Sequence, residues 1–200
     1  MRTLRLLSVV LLLGSATAAR AQIPYYGTVT YQLAIPIGET HQYIHDVAWR
    51  GIGLDFGYFV RPSISIGFAV AWNVFYEGTN RVVHFSNGLD ISGYQDRSLN
   101  VFPLLANARY FPSLSPSIKP FVGFGMGVYP IIQRLDFGLS SYSSTEWHFG
   151  VAPELGVFVP IGLGSYATLS VRYNLPFSSG SQGFYQFVGI HLGIAWGNGP

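Results

Sequence analysis

The chain has 200 residues, a formal net charge of +2, 24 glycines and no cysteine. Only 10% of its residues are charged, which argues against a basic nucleic-acid surface, and the lack of cysteine excludes disulfides, thiol chemistry and cysteine-ligated metals. Mean hydropathy is +0.32, yet beyond the N-terminal leader no apolar run reaches the roughly 18–20 residues of a membrane helix, a combination that a transmembrane barrel produces because its lipid-facing residues are diluted one in two.

Residues Met1 to Ala21 read as an export signal. Arg2 and Arg5 form its charged start, Leu6 to Leu13 its apolar run, and Ala19-Arg20-Ala21 a small-x-small cleavage site. Removing Arg2, Arg5 and Arg20 from the 11 basic residues leaves 8 against 9 acidic ones. The basic character of the whole chain therefore belongs in part to the leader. A single domain, residues 22–200, is expected to follow.

Alternating segments then follow in order. The first, Tyr25 to Ile37, sets Val29, Tyr31, Leu33 and Ile35 against Thr28, Thr30 and Gln32. Side chains alternate faces along a strand, so this pattern is a two-faced strand. The second, Val47 to Val60, sets Ile52, Leu54, Phe56 and Tyr58 against Gly51, Gly53, Asp55 and Gly57. The third, Ser63 to Glu77, alternates from Ile64 to Tyr76 without a fault. The fourth, Ser98 to Phe111, turns Asn107 and Arg109 inward.

The fifth segment, Lys119 to Arg134, places Gly123, Gly125 and Gly127 between Val122, Phe124, Met126 and Val128. One face is bare backbone and the other is apolar. That suits a narrow closed barrel in which other strands' larger side chains need the inner space. The sixth, Trp147 to Pro160, turns Glu154 inward; the seventh, Tyr166 to Phe177, turns Arg172 inward; the eighth, Phe184 to Trp196, turns His191 inward. The expected fold is all-β, an eight-stranded antiparallel up-and-down transmembrane β-barrel.

The connections alternate in length. Arg61-Pro62, Pro112 to Ser117 and Gly162 to Gly164 read as tight turns; Gly38 to Asp46, Gly78 to Arg97, Leu135 to Glu146 and Ser178 to Gly183 read as long polar loops. Aromatic residues gather near the strand ends, Trp49, Tyr76, Tyr129 and Trp147 at one rim and Tyr58, Tyr110, Tyr166 and Trp196 at the other. Pro103, Pro130 and Pro153 fall inside strands, where each is expected to mark a bulge or an end.

Lys-Pro-Phe-Val-Gly-Phe-Gly-Met-Gly (119–127), Ala-Pro-Glu-Leu-Gly-Val (152–157), Val-Arg-Tyr (171–173) and the last strand, with Gly193 and Trp196, resemble the small eight-stranded outer-membrane barrels of the OmpA/OmpX and OmpW types. The resemblance implies an outer-membrane, porin-like protein. Its partners would be membrane lipid and lipopolysaccharide, with the barrel-assembly machinery acting during insertion. No nucleic acid is expected, and the loops do not identify an extracellular partner.

Three groups of residues carry candidate chemistry. Asp55, Arg109, Glu154, Arg172 and His191 form an inward charge set. A turn centred on Leu163 puts Glu154 opposite Arg172, and a buried charge needs a partner. Such a set either lines a pore or plugs the lumen; an eight-stranded interior has room only for side chains, which favours the plug. The second group, His84-Phe85-Ser86-Asn87, is similar to the His-x-Ser-Asn run of outer-membrane lipid A deacylases, which implies His84 as base, Ser86 as nucleophile and Asn87 as oxyanion donor. No Glu follows within the next dozen residues to orient His84, so a polar loop is the simpler reading and no enzyme is expected. The third, His41 and His45, has a spacing that could hold a metal on a helix. In a loop it reads as two solvated histidines, and no metal or cofactor is expected. The function expected is structural or surface-interacting. A narrow channel for small or hydrophobic solutes is the alternative, and a lipid A-modifying acyl hydrolase a more distant one.

Overall fold

The computed structural model describes residues 24–84, 90–112, 118–137, 140–177 and 185–197. Residues 1–21, which read as an export signal, lie outside the described residues, as do Ser86 and Asn87. The strands are β1 (Tyr25–Ile37), β2 (Arg50–Arg61), β3 (Ile64–His84), β4 (Asp90–Val101), β5 (Leu104–Tyr110), β6 (Lys119–Phe137), β7 (Ser140–Gly162), β8 (Ser165–Pro176) and β9 (Gln186–Gly197), with a short helix α1 (Glu39–Tyr43) between β1 and β2. Every pairing is antiparallel, and β9 returns to β1, so the sheet closes on itself.

Nine strands make eight staves. β4 and β5 are one stave interrupted at Phe102 and Pro103. β3 pairs with both pieces in unbroken register, Asn73 opposite Val101 and Val70 opposite Leu104. The ladder is carried across the gap by Ala71 N–H to Pro103 O at 3.0 Å and Phe102 N–H to Pro130 O at 2.9 Å. Pro103 thus marks a break, but Pro130 and Pro153 do neither of the things expected of them. β6 runs through Pro130, and β7 runs through Pro153 with Val151 opposite Leu175 and Glu154 opposite Arg172, the same register on both sides. A missing N–H removes one rung, which a wall bonded on both sides tolerates without a bulge.

Two of the long polar loops are instead strands. β3 runs on to His84 and β4 starts at Asp90, while β6 runs on to Phe137 and β7 starts at Ser140. Strands need not stop at the membrane surface, because pairing satisfies backbone groups in water as well as in lipid. The alternation of apolar and polar residues ends there, so the sequence reads as loop.

The wall is apolar outside. Ile52, Leu54, Phe68, Val70, Phe124, Met126, Leu155, Val171, Leu192 and Ile194 are all exposed, the outward band of a membrane-spanning barrel. Trp49, Tyr76 and Trp147 ring the end with long connections, and Tyr58, Tyr110 and Trp196 the end with short ones. Tyr129 and Tyr166 do not join them. Tyr129 is fully buried in the lumen, and Tyr166 packs edge-on against the buried Phe158. Both stand at inward positions of their strands, and parity outweighs nearness to a rim.

Candidate functional site

The middle of the lumen holds a charge cluster supplied by four staves: Asp55 on β2, Arg109 on β5, Glu154 on β7 and Arg172 on β8. None is more than 5% exposed. Arg109 Nη2 donates to Asp55 Oδ1 at 2.6 Å and to Glu154 Oε2 at 2.9 Å, and its Nε donates to Glu154 Oε2 at 3.1 Å. Arg172 Nη2 donates to the same two oxygens at 2.9 and 3.2 Å. Two carboxylates and two guanidiniums leave no net charge.

Buried ion pairs persist only when their remaining lone pairs and N–H groups also find partners. Ser170 donates to Glu154 Oε1 at 2.8 Å, Arg109 Nη1 donates to the Tyr26 hydroxyl at 3.1 Å, and that hydroxyl lies 3.1 Å from Ser65 Oγ. Gly123 provides the room: a Cβ there would lie 3.1 Å from Arg109 Cγ and 3.4 Å from Glu154 Oε2. His191 is buried beside the cluster but outside its hydrogen bonds. Its ring folds over Gly189, its register partner is Ser170, and its Nδ1 has no partner among the described residues.

Below the cluster, at the end with short turns, Tyr26, Phe59, Phe111, Phe121 and Phe158 fill the lumen. Their ring centroids lie 5.3–6.3 Å apart in tilted and edge-on pairs. The Arg109 guanidinium sits 5.0 Å from the Phe121 ring, a cation–π contact that joins this floor to the cluster. Gly57 is needed for it, since a Cβ would fall 2.4 Å from the Tyr26 ring.

Above the cluster a second apolar layer includes Phe75, Leu99, Ile131, Tyr129 and Phe187, and Ile44 of the first connection inserts into it fully buried. That connection, whose His41 and His45 are exposed, is also tied to the wall. The His45 backbone N–H donates to Glu77 Oε2 at 2.7 Å, its Nδ1 lies 3.4 Å from the same oxygen, and Arg97 donates to Tyr43 O at 3.2 Å with its guanidinium over the Tyr43 ring. Burial opposes ionisation of Glu77, but the His45 backbone N–H, the His45 imidazole and Arg97 outweigh it and hold the carboxyl below the usual range. At the same mouth burial pushes the Tyr185 hydroxyl up to about 12, so it stays neutral beside His148.

The other sequence candidates separate. His41 packs edge-on against His45, and His45 is engaged with Glu77, so the two serve the first connection. The backbone of His84 ends β3, while Ser86 and Asn87 lie outside the described residues. Ser65 and Ser170 alternate inward with their strands, but nothing in the sequence marks them or Tyr26 as partners of the charges, because a hydroxyl on a strand carries no signal of its own. The floor was open to detection, since Phe59, Phe111, Phe121 and Phe158 all fall out of phase with their outward neighbours.

No protein-family model matches the chain, and no curated protein matches it in sequence. Solved structures do match. The attachment invasion locus protein Ail of Yersinia pestis aligns with 88% of this chain and 98% of its own at a TM-score of 0.55 and 11% identity. OprG of Pseudomonas aeruginosa aligns with 89% and 97% at 0.56 and 14%, and Neisserial surface protein A with 88% and 97% at 0.52 and 16%. The chain has the fold of the small outer-membrane barrels. Its apolar outer belt, bounded by aromatic rims, places the barrel in that membrane.

Proposed function

We propose that the chain is a sealed outer-membrane barrel with a structural or surface-interaction role. One observation carries this reading: a cluster of two guanidiniums and two carboxylates, bonded to one another, lies between two apolar layers in a lumen too narrow to hold both side chains and a water column. A selective pore would present charges to water, whereas these charges are spent on each other. In this reading Met1–Ala21 directs export and is removed, and the assembly machinery inserts the remainder. The hairpins β3–β4 and β6–β7, which extend past the aromatic rim, form the interaction surface. Among the proteins of this fold, Ail has been crystallised with a heparin analogue, sucrose octasulfate, so a barrel of this fold has a precedent in ligand binding. The inward charges act as structural ties, with no catalytic role.

Planar-bilayer recording of the refolded mature barrel tests the proposal. The expected trace has no sustained conductance. Steady ohmic steps from the wild type would overturn the seal in favour of a narrow channel for small or hydrophobic solutes. Recovery in the outer-membrane fraction with heat-modifiable gel migration is expected, and recovery as a soluble periplasmic protein would overturn the assignment altogether.

A further inference from the structure

The mouth of the lumen holds a pair of titratable side chains that neither the charge cluster nor the apolar layers use. Glu146 and His148 stand two apart on β7, and the two-residue period of a strand puts both on the lumen face. His148 is only 1% exposed. Its Nδ1 lies 3.0 Å from the Phe177 carbonyl oxygen. A carbonyl can only accept, so Nδ1 carries the hydrogen and the neutral imidazole presents a bare lone pair at Nε2. The Tyr185 ring packs edge-on against the imidazole, centroids 5.3 Å apart, and fixes its plane.

Nε2 lies 3.3 Å from Glu146 Oε2. Two lone pairs at that distance repel unless a proton or a metal ion lies between them. A proton would make a hydrogen bond along the line that joins them, yet neither atom has a hydrogen-bond partner among the described residues. The distance instead fits two ligands of one ion. Zinc bonds of about 2.0–2.1 Å to nitrogen and about 2.0–2.2 Å to oxygen, at a tetrahedral angle, leave the ligand atoms about 3.3–3.5 Å apart. The Phe177 carbonyl stands where the second nitrogen of a metal-bound histidine finds its acceptor, the arrangement that orients the ring and raises its basicity. The Glu146 side chain is 20% exposed and that of His148 0%, so an ion enters from the mouth, past Glu146.

We propose that Glu146 and His148 bind one divalent transition-metal ion at the mouth of the lumen. An imidazole nitrogen beside a carboxylate oxygen suits zinc, copper(II) or nickel, whereas calcium and magnesium take oxygen ligands. No third His, Cys, Asp or Glu among the described residues joins the pair. Water therefore completes the coordination and the ion exchanges, unlike a structural zinc closed by four protein ligands. His148 is tied to the Phe177 carbonyl just past the end of β8, so the bound ion braces the β7–β8 side of the mouth. The site is separate from the charge cluster, and the proposal stands whether the lumen is sealed or open.

Copper(II) added to the refolded mature barrel, made without a histidine tag, tests it. Copper is the tightest binder among these ions, and its electron paramagnetic resonance spectrum counts nitrogen ligands. One equivalent should bind, with coupling to a single imidazole nitrogen that changes when the histidines are nitrogen-15 labelled. Calorimetric titration with zinc should give the same stoichiometry. Glu146→Gln and His148→Gln should each weaken binding at least about tenfold, since loss of an outer-shell partner alone costs that much. The double variant His41→Gln/His45→Gln should bind as the wild type does. Heat-modifiable migration reports that each variant folds, and the nitrogen coupling of the wild type depends on no variant. No bound ion in the wild type, binding untouched by both Glu146→Gln and His148→Gln, or binding lost with His41 and His45, would overturn the proposal.

Discussion

The two ends of the lumen are closed by different means. The lower end is closed by wall residues alone, the rings of Tyr26, Phe59, Phe111, Phe121 and Phe158 beneath the charge cluster. The upper end is closed partly by the wall and partly by the first connection, whose Ile44 is buried among Phe75, Leu99 and Phe187. A wall residue can leave only if the barrel opens, so the lower closure shares the stability of the whole fold. A connection can lift while the barrel stays intact, so the upper closure opens at its own smaller cost. In the proposed function the lower layers are the seal and the first connection is a lid.

The largest effects should come from breaking the seal. Arg109→Met leaves two buried carboxylates short of a partner and should cost about 3–5 kcal/mol, measured by reversible urea unfolding in lipid vesicles, and should raise ion leakage in planar bilayers. Glu154→Gln and Arg172→Met should each destabilise, and the double variant should lose less than the two singles combined by at least about 0.5 kcal/mol. Strict additivity would show that the pair does not interact. Ile44→Ala acts on the lid. It should weaken docking of the first connection by about 2–3 kcal/mol, seen as faster amide exchange over residues 38–47, with leakage unchanged. A matching rise in leakage would move the seal to the upper end.

A smaller contrast sharpens the packing of the lumen on the two sides of the charge cluster. Gly57→Ala drives a methyl to 2.4 Å from the Tyr26 ring and should cost about 1–3 kcal/mol by overpacking. Gly125→Ala meets Leu105 and Ala152 at ordinary contact distances, 3.4 and 3.5 Å, and should change stability by less than about 0.5 kcal/mol. The smallest effect concerns the clasp. Glu77 is held below the usual carboxylate range by His45 and Arg97 against its burial, so its contribution is present above the unfolded carboxylate range and is lost as the pH falls through its lowered folded value. Amide exchange in the first connection should therefore quicken on acidification below the ordinary carboxylate range. Glu77→Gln should abolish that step at a cost under about 1 kcal/mol; an unchanged pH profile in the variant would assign the acid sensitivity elsewhere.

Much of the wall is legible in the order of residues, because a strand has only two faces. Alternation from Ile64 to Tyr76 identifies a stave without reference to its neighbours, and counting by twos puts Asp55, Arg109, Glu154, Arg172 and His191 on one side of it. Glu154 and Arg172 can even be matched across their hairpin, because a tight turn fixes register locally. The register change ahead of β2, where Tyr31 faces Ile52 but Ala34 faces Ala48, lay hidden, since Val47 to Val60 reads as one unbroken strand. The outward hairpins were hidden for a related reason, because outside the bilayer no lipid demands an apolar face.

The sequence by itself therefore determined which residues face lipid and which face inward, since side-chain direction along a strand is a local, period-two property. It also determined that the lumen would be narrow, through glycines set where a Cβ would strike a neighbour. Only the closed barrel decided that Asp55 meets both Arg109 and Arg172, that His191 stands aside, and that Ile44 enters the mouth. Those contacts join staves far apart in the chain, and their partners become neighbours only when β9 pairs with β1 and the wall curves back on itself.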